Sequence, residues 1–409
     1  MSKGQQVKLG DYCEITSSKR IFYSDYVADG VPFFRSKEII ERQNGSDISE
    51  PLFISTEKYE SIKSQFGIPL VGDMLLTSVG TIGIAYIVKP DDYFYFKDGN
   101  LTWFRNFSPL LSSKYLYYWI TSQKGKGILY NSTIGSSQKA LTISALKKLI
   151  IPLPPIEVQR KIADVLSAYD DLIENNRKQI KLLEEAAQRL YKEWFIDLRF
   201  PGHENTPEVD GLPDGWMKRC AIDFFNITIG KTPPRAENQC FTNGNSGIPW
   251  VSISDMGNCS IYISDTSEGL TPDAINKYNV KIIPVGTILL SFKLTLGRVS
   301  ITTTPCCTNE AIAHFYIENE DLRPYTFLYL KSFEYDTLGN TSSISKAVNS
   351  SIIKAMPFIM PNANLVADFA KYTKPIFEKI CCLQKSISEA KNARDYLLSK
   401  LMSGELEVE

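Results

Sequence analysis

Two stretches of the chain place apolar residues alternately three and four positions apart, the spacing of a helix that packs along a single seam. The first follows Pro155, a residue suited to a first helical turn, and runs through Ile162, Leu166, Tyr169, Ile173, Asn176, Ile180, Leu183, Ala187, Leu190 and Trp194. The second runs through Val366, Phe369, Thr373, Ile376, Ile380, Leu383, Ile387, Ala390, Arg394, Leu397 and Leu401. Adding 207 to each position from Leu166 to Trp194 gives a position of the second set. About 40 residues at 1.5 Å per residue make a rod of about 60 Å, longer than a globule of this size needs for its own cover. Pro375 is expected to kink or restart the second helix, leaving an uninterrupted part from Pro375 to the neighbourhood of Met402.

The remaining segments have a different rhythm. Met1 to Pro154 and Trp216 to Pro361 alternate short β-branched and aromatic runs with Gly, Asn and Pro, the pattern of a mixed α+β globule. Met74 to Leu76 and Ile84 to Val88 are expected as strands on either side of the loop Thr77 to Gly83, and Tyr115 to Thr121 as a short helix. The two segments repeat each other. Gly72-Asp73-Met74-Leu75-Leu76-Thr77, continuing to Gly83, is matched by Gly286-Thr287-Ile288-Leu289-Leu290-Ser291, continuing to Gly297; the offset is 286 − 72 = 297 − 83 = 214. Val31-Pro32-Phe33-Phe34 is matched by Ile248-Pro249-Trp250-Val251, and Ser137-Gln138-Lys139-Ala140-Leu141 by Ile344-Ser345-Lys346-Ala347-Val348. The expected organisation is a globule over 1–154, a helix over 155–195, a linker rich in Pro, Gly and acids over 196–215, a second globule over 216–361 and a second helix over 362–409.

Composition narrows the function without naming it. A length of 409 residues with 43% apolar and 22% charged positions describes an ordinary folded protein. The start, MSKGQQVKLG, lacks the apolar core of a signal peptide, and no run of about 18 apolar residues exists, so neither secretion nor membrane spanning is expected. The eight Cys include no CxxC pair, which fits a reduced, cytoplasmic chain without structural zinc. With 45 basic and 46 acidic residues there is no global positive field, so contact with nucleic acid has to rest on local patches.

The constellations that carry catalysis are missing. The two histidines, His203 and His314, have no nearby Ser or Cys in a nucleophile setting, and a structural role is expected for both. Gly230-Lys231-Thr232 imitates the end of a phosphate loop, but that motif needs glycine where Phe225 stands, and prolines follow. Gly80 and Gly83 do not make a dinucleotide fingerprint. Neither the paired acids of a metal-dependent nuclease around Pro90-Asp91 nor the Asn-Pro-Pro-aromatic motif of amino-methylating enzymes occurs. Binding is left. The segment 1–154 carries 18 basic and 14 acidic residues, a surplus of four, and each globule offers loops where Lys or Arg mixes with Gly, Ser and aromatics. The candidates for contacting phosphates and base edges are Arg35, Lys37, Lys124, Lys126, Lys139, Lys231, Arg235, Lys293, Arg298 and Lys346. A coiled-coil scaffold without sequence-specific DNA binding is the alternative.

The stretch Gly135-Ser136-Ser137-Gln138-Lys139, continued by Leu149-Ile150-Ile151-Pro152-Leu153-Pro154-Pro155-Ile156-Glu157-Val158-Gln159-Arg160-Lys161-Ile162-Ala163, resembles the junction from recognition domain to helix in the specificity subunits of type I restriction-modification enzymes. Trp194-Phe195, Arg199-Phe200-Pro201-Gly202 and Gly211-Leu212-Pro213-Asp214-Gly215-Trp216 fit the same family. The second junction, Met356-Pro357-Phe358-Ile359-Met360-Pro361-Asn362-Ala363-Asn364, departs from it, and no Leu-Pro-x-Gly-Trp opens the first half. The resemblance implies two target-recognition domains separated by two long antiparallel coiled-coil helices with pseudo-twofold symmetry. Each domain would read one half of an asymmetric bipartite target in double-stranded DNA. The helices, through a seam that includes Leu166, Tyr169, Ile173, Ile180, Leu183, Ile376, Ile380, Leu383 and Ile387, would set the spacer and dock two adenine-methylating modification subunits, joined by restriction subunits in the full complex. Such a subunit is non-catalytic and binds no cofactor of its own: S-adenosylmethionine belongs to the modification subunits, ATP and magnesium to the restriction subunit.

Overall fold

The structure, a computed structural model, describes residues 5–46, 48–135, 139–338 and 348–408. The chain divides into two compact units, the first holding residues up to Asn175 together with those from Ile387 onward, the second holding Asn176 to Ser386. Each unit therefore combines one globule with a segment of both long helices, Ile156–Tyr191 and Ala363–Ser403. Among the described residues no helix is long and apolar enough to cross a membrane.

The first unit is built on three small sheets. Gln5–Lys8 pairs antiparallel with Ile150–Leu153, so the beginning and end of the globule meet just before the helix starts. An antiparallel sheet runs in the order Glu14–Thr16, Leu101–Arg105, Met74–Thr77, Ala85–Ile87. A third sheet orders Tyr26–Val27, Phe53–Ile54, Val31–Phe34 and Tyr95–Phe96, its last pair parallel. The expected helix over Tyr115 to Thr121 is present as Ser113–Thr121, started by the Ser112 side chain accepting from the Tyr115 N–H.

The second unit repeats this plan strand for strand. Met217–Cys220 pairs with Pro357–Met360; Asn226–Ile229, Ile312–Tyr316, Ile288–Ser291 and Val299–Thr302 form the antiparallel sheet; Phe241–Asn243, Glu268–Leu270, Ile248–Val251 and Cys307–Thr308 form the other. One strand is added: Tyr262–Ile263 lies parallel to Val299–Thr302 at the sheet edge. Gln384, from the C-terminal helix, accepts from the Tyr262 N–H at 3.1 Å and donates to its carbonyl at 2.9 Å, closing the exposed side of that edge.

The heptad seam is the core-facing face of both helices. Ile162, Leu166, Ile173, Asn176, Ile180, Ala187 and Trp194 are buried, as are Val366, Phe369, Thr373, Ile380, Leu383, Ala390 and Leu401. Tyr169, Leu183, Ile376 and Ile387 are half-buried. The pairing is antiparallel: in the first unit Arg394 reaches Asp170 at 2.6 Å, and in the second Asn176 donates to Ser386 at 3.0 Å while Trp194 packs on Phe369 at 5.6 Å between ring centres. The polar Asn176 is satisfied by its partner rather than left orphaned in the seam.

One expectation is corrected. Pro375 does not restart the C-terminal helix, which runs unbroken from Ala363 to Ser403. A proline costs a helix about 3 kcal/mol, but Pro375 faces outward while Phe369, Ala370, Thr373, Phe377 and Ile380 are buried on either side of it. Each large apolar side chain so buried contributes about 1.5–3 kcal/mol, enough to keep the turns on both sides helical. The linker segment 196–215 has local structure of its own. After a π-helical turn at Lys192–Ile196, Phe200 is buried against Trp216, which packs on Phe195, and Asp210 and Gly211, both with positive φ, turn a short hairpin from Glu208–Val209 to Leu212–Pro213.

His314 sits fully buried in the second unit's sheet, its Nδ1 2.8 Å from the Thr228 hydroxyl and its Nε2 2.7 Å from that of Thr308. Burial, with the charge of Lys281 adding to it, lowers its pKa to about 4. The folded protein thus keeps the ring neutral where the unfolded chain takes up a proton, and stability is lost as pH falls from about 6.5 towards 4. His314→Gln should flatten the dependence of the urea midpoint on pH in that window; an unchanged slope would refute the assignment. For the seam, Ile180→Asp leaves a buried charge without a partner and should cost several kcal/mol, whereas Ile180→Val should cost about 0.5–1.5 kcal/mol, read from chemical denaturation of the whole chain.

Candidate nucleic-acid interface

In each unit the antiparallel sheet brings three loops to one edge. In the second unit these are residues 230–235, which follow the strand Asn226–Ile229, the hairpin turn 292–297, and the connection 308–311. Backbone bonds lock them together: the N–H of Gly230 donates to Ile312, that of Lys231 to Thr308 at 2.9 Å, and that of Phe292 to Ala311 at 2.9 Å. Gly230 is required by contact rather than by torsion, since a Cβ there would lie 2.0 Å from Thr308 Oγ1 and 2.1 Å from the Asn309 carbonyl. The resemblance of Gly230-Lys231-Thr232 to a phosphate loop therefore has a packing explanation.

This edge gathers cations around one carboxylate. Thr232 donates its hydroxyl to Glu310. Partial burial pushes the Glu310 carboxyl up, but the Thr232 hydroxyl, its own N–H and the charges of Lys293 and Arg235 together hold it below its ordinary value. Arg235 lies over the rings of Phe241 and Trp250, 4.3 and 4.7 Å from their centres, and reaches Glu268 at 2.8 Å. A guanidinium stacked this way keeps a fixed direction, and here one of its edge N–H groups is held by the Glu268 carboxylate. Lys231 and Lys293 are exposed. Arg298 is placed differently: its guanidinium donates to the Ile253 carbonyl at 2.5 Å and fills the space over Gly257, which ties the sheet to the turn Ile253–Gly257.

The first unit builds the same edge from residues 17–20, 78–83 and 97–100. The N–H of Gly99 donates to Ser17 Oγ at 3.4 Å, Ser18 Oγ to the Phe96 carbonyl at 2.8 Å, and the N–H of Ser78 to the Asn100 carbonyl at 2.8 Å. A fourth segment joins through the bridge from Val79 to Ala140, bringing Lys139 over the ring of Tyr130 at 3.7 Å. Tyr130 belongs to the helix Gln123–Asn131, which also exposes Lys124 and Lys126. Arg35 and Lys37 are held differently. The Arg35 guanidinium is bound by the buried Glu38 at 2.5 Å, and Lys37 pairs with Glu50 at 2.9 Å. Lys346 lies outside the described residues.

Two basic residues on this edge escaped the sequence reading. Lys19 lies over Phe66 at 4.2 Å, and Arg20 pairs with Asp98 at 2.9 Å. The pairing registers show why. Thr16 opposes Trp103 and Thr228 opposes His314, so here the repeat has an offset of 228 − 16 = 212, and Lys19 is the counterpart of Lys231. The offset of 214 read from the glycines does not reveal it. Chemically the edge presents ammonium and guanidinium groups fixed by aromatic rings and loop amides, and among the described residues no group of three or more His, Cys, Asp or Glu is placed to hold a metal ion.

The junction motif also acquires a physical role. Gln159, buried in the first turns of the central helix, accepts from the Ser112 N–H at 2.9 Å and donates to the Leu110 and Pro154 carbonyls at 2.9 and 2.8 Å, fixing the helix to the globule. The offset of 207 puts buried Val366 at the same place in the second half, so the departing junction replaces a polar tie by an apolar contact.

Comparison with known proteins gives a consistent result. The family described as type I restriction modification DNA specificity domain matches residues 1–185 and 213–390. The MjaIX type I restriction enzyme specificity subunit of Methanocaldococcus jannaschii is 32% identical over 360 residues, covering 83% of this chain and 78% of that protein. The HindI specificity subunit of Haemophilus influenzae is 26% identical, covering 65% of this chain and 71% of its own. Among solved structures, the S subunit of a type I restriction-modification system from M. genitalium shares the fold with a TM-score of 0.59 at 17% identity, covering 97% of this chain and 95% of that one. With both halves matched in sequence and the strand plan repeated in both units, the chain belongs to the specificity subunits of type I restriction-modification systems, which recognise DNA and leave the chemistry to other subunits.

Proposed function

We propose that the two units read two different short sequences in one double-stranded DNA target, that the paired helices set the unspecific spacer between them and dock two adenine-methylating modification subunits, and that restriction subunits join the complete complex in the cytoplasm. The observation that carries this reading is the loop edge built twice on the same sheet with different side chains. Lys19 and Arg20 beside Asp98 in the first unit stand against Lys231 and Thr232 beside Glu310 in the second. Among the described residues, the helix Gln123–Asn131, with Lys124 and Lys126, follows Ser113–Thr121 in the first unit, whereas in the second Leu322–Ser332 is followed by the short turn Tyr335–Thr337. One framework with two sets of contacts favours two unlike half-sites over a palindrome.

Replacing Lys231 and Lys293 together by Ala should weaken binding to a cognate duplex and lower the slope of log affinity against log salt by about 0.9 for each phosphate that is no longer neutralised, with assembly on the modification subunit intact. Arg298→Ala should instead lower the melting temperature, because it removes the tie to Ile253. Equal binding by the double variant and the wild type at all salt concentrations would reject this edge as the DNA surface.

The spacer is testable with the helices as a ruler. One heptad inserted after Ile173 and another after Ile380 keep the seam in register and add about 10.5 Å, or about three base pairs at 3.4 Å each. Mapping methylated adenines in cells that co-express the modification subunit should show both half-sites unchanged and the spacer about three base pairs longer, with lower efficiency because the second unit is rotated around the duplex. Methylation confined to the original spacing at full efficiency would exclude the helices as the ruler.

A further inference from the structure

The second unit's hairpin tip carries an apolar side chain that its own fold does not use. Between Ile288–Ser291 and Val299–Thr302 the chain turns through 292–297, and Leu294 at the tip is 100% exposed with a φ of 60°. That left-handed conformation is strained for a leucine and easy for Gly, Asn or Asp. Of the five non-glycine residues with positive φ among the described residues, Asn106, Asp210 and Asn279 are of the tolerant types. Leu198, the other leucine, is 37% exposed, so most of its side chain is covered. Only Leu294 combines the strain with a side chain that covers nothing.

The repeat sharpens the contrast. At the offset of 214 the first unit has Gly80, with a φ of 77° and nothing within 4 Å of where a Cβ would stand. The turn is common to both halves, and the first half makes it with the residue that suits it. In the second half the turn is braced: Ser291 Oγ donates to the Thr295 carbonyl at 2.6 Å and accepts from the Arg298 N–H at 3.0 Å, and the Gly297 N–H donates to Ser291 at 3.0 Å. A rigid tip holds the leucine out beside exposed Lys293, on the edge that also carries Lys231 and Arg235.

Leu294 projects from a loop at the end of the sheet rather than from a free ribbon; the major groove of DNA is about 12 Å wide, and the apolar feature of base edges there is the C5 methyl of thymine. We propose that Leu294 packs against a thymine methyl in the half-site read by the second unit, a specificity contact that the first unit, with Gly80, lacks. This inference rests on the DNA-reading function above.

The test uses the full chain co-expressed with the modification subunit. Leu294→Gly and Leu294→Asn both suit the left-handed backbone, so each should keep or raise the melting temperature while relaxing one A·T position in one half of the methylated motif. Each should also bind the cognate duplex about five- to tenfold more weakly. Replacing thymines of that duplex one at a time by uracil, which lacks the methyl, should weaken wild-type binding at one position in the same half-site and leave the variants unaffected there. A motif and affinity unchanged in both variants, relaxation at a G·C pair, or wild-type indifference to uracil at every position would overturn the contact while the function stands. A wild-type complex that methylates no two-part motif would overturn the function and the contact with it.

Discussion

The antiparallel packing of the two long helices is the interaction on which everything else depends, because neither globule closes its core alone. In the first unit Ile162, Ala163 and Leu166 from one helix and Leu401 from the other join the cluster around Leu116, Trp119, Leu146 and Ile151. In the second, Tyr191, Trp194 and Phe195 meet Phe369 and Tyr325 in a run of aromatic contacts 4.7–5.8 Å apart between ring centres. Helix residues distant in sequence thereby share one seam, and sliding either helix by a turn would unpack both clusters. The continuity of the C-terminal helix through Pro375 follows from the same constraint.

On this frame the proposed recognition edge is an exercise in local electrostatics. Net charge is −1, so there is no global attraction to DNA, and the proposed function places it in cations concentrated on one edge. The sheet does the concentrating: strands far apart in the chain end at the same level and their loops bond to one another through backbone amides. Aromatic rings beneath Lys19, Lys139 and Arg235 then hold the cations in place. Ordering these side chains before DNA arrives reduces the entropy lost on binding.

The two halves solve the same folding problems with different chemistry. A buried carboxylate caps the helix after the parallel-paired strand in both, but Glu38 is neutralised by Arg35 whereas Asp255 is satisfied by Ser252 and the Ser267 N–H. Gln159 anchors the first long helix through three hydrogen bonds, and Val366 anchors the second through packing. Such substitutions keep the framework while the exposed loops diverge, the condition that the proposed reading of two different sequences requires.

Periodicity and internal repetition by themselves determined the seam, the two globules and the doubled strand plan around the glycine-flanked loops. These are properties of spacing along the chain, and a seam position such as Ile180 or Asn176 is recognisable without knowing what it touches. Which basic residues face outward was settled only by tertiary structure. Arg35 and Arg298 look in sequence like Lys231 and Lys293, yet a buried Glu38 and the Ile253 carbonyl bind them and leave them half-buried, while Lys19 and Arg20 join the edge through a register that shifts by two residues. The run through Pro375 and the packing of Phe200 on Trp216 belong to the same class. Each depends on a partner distant in the chain, and a local pattern carries no information about which distant group will be there to bind a charge, bury a ring or outweigh a proline.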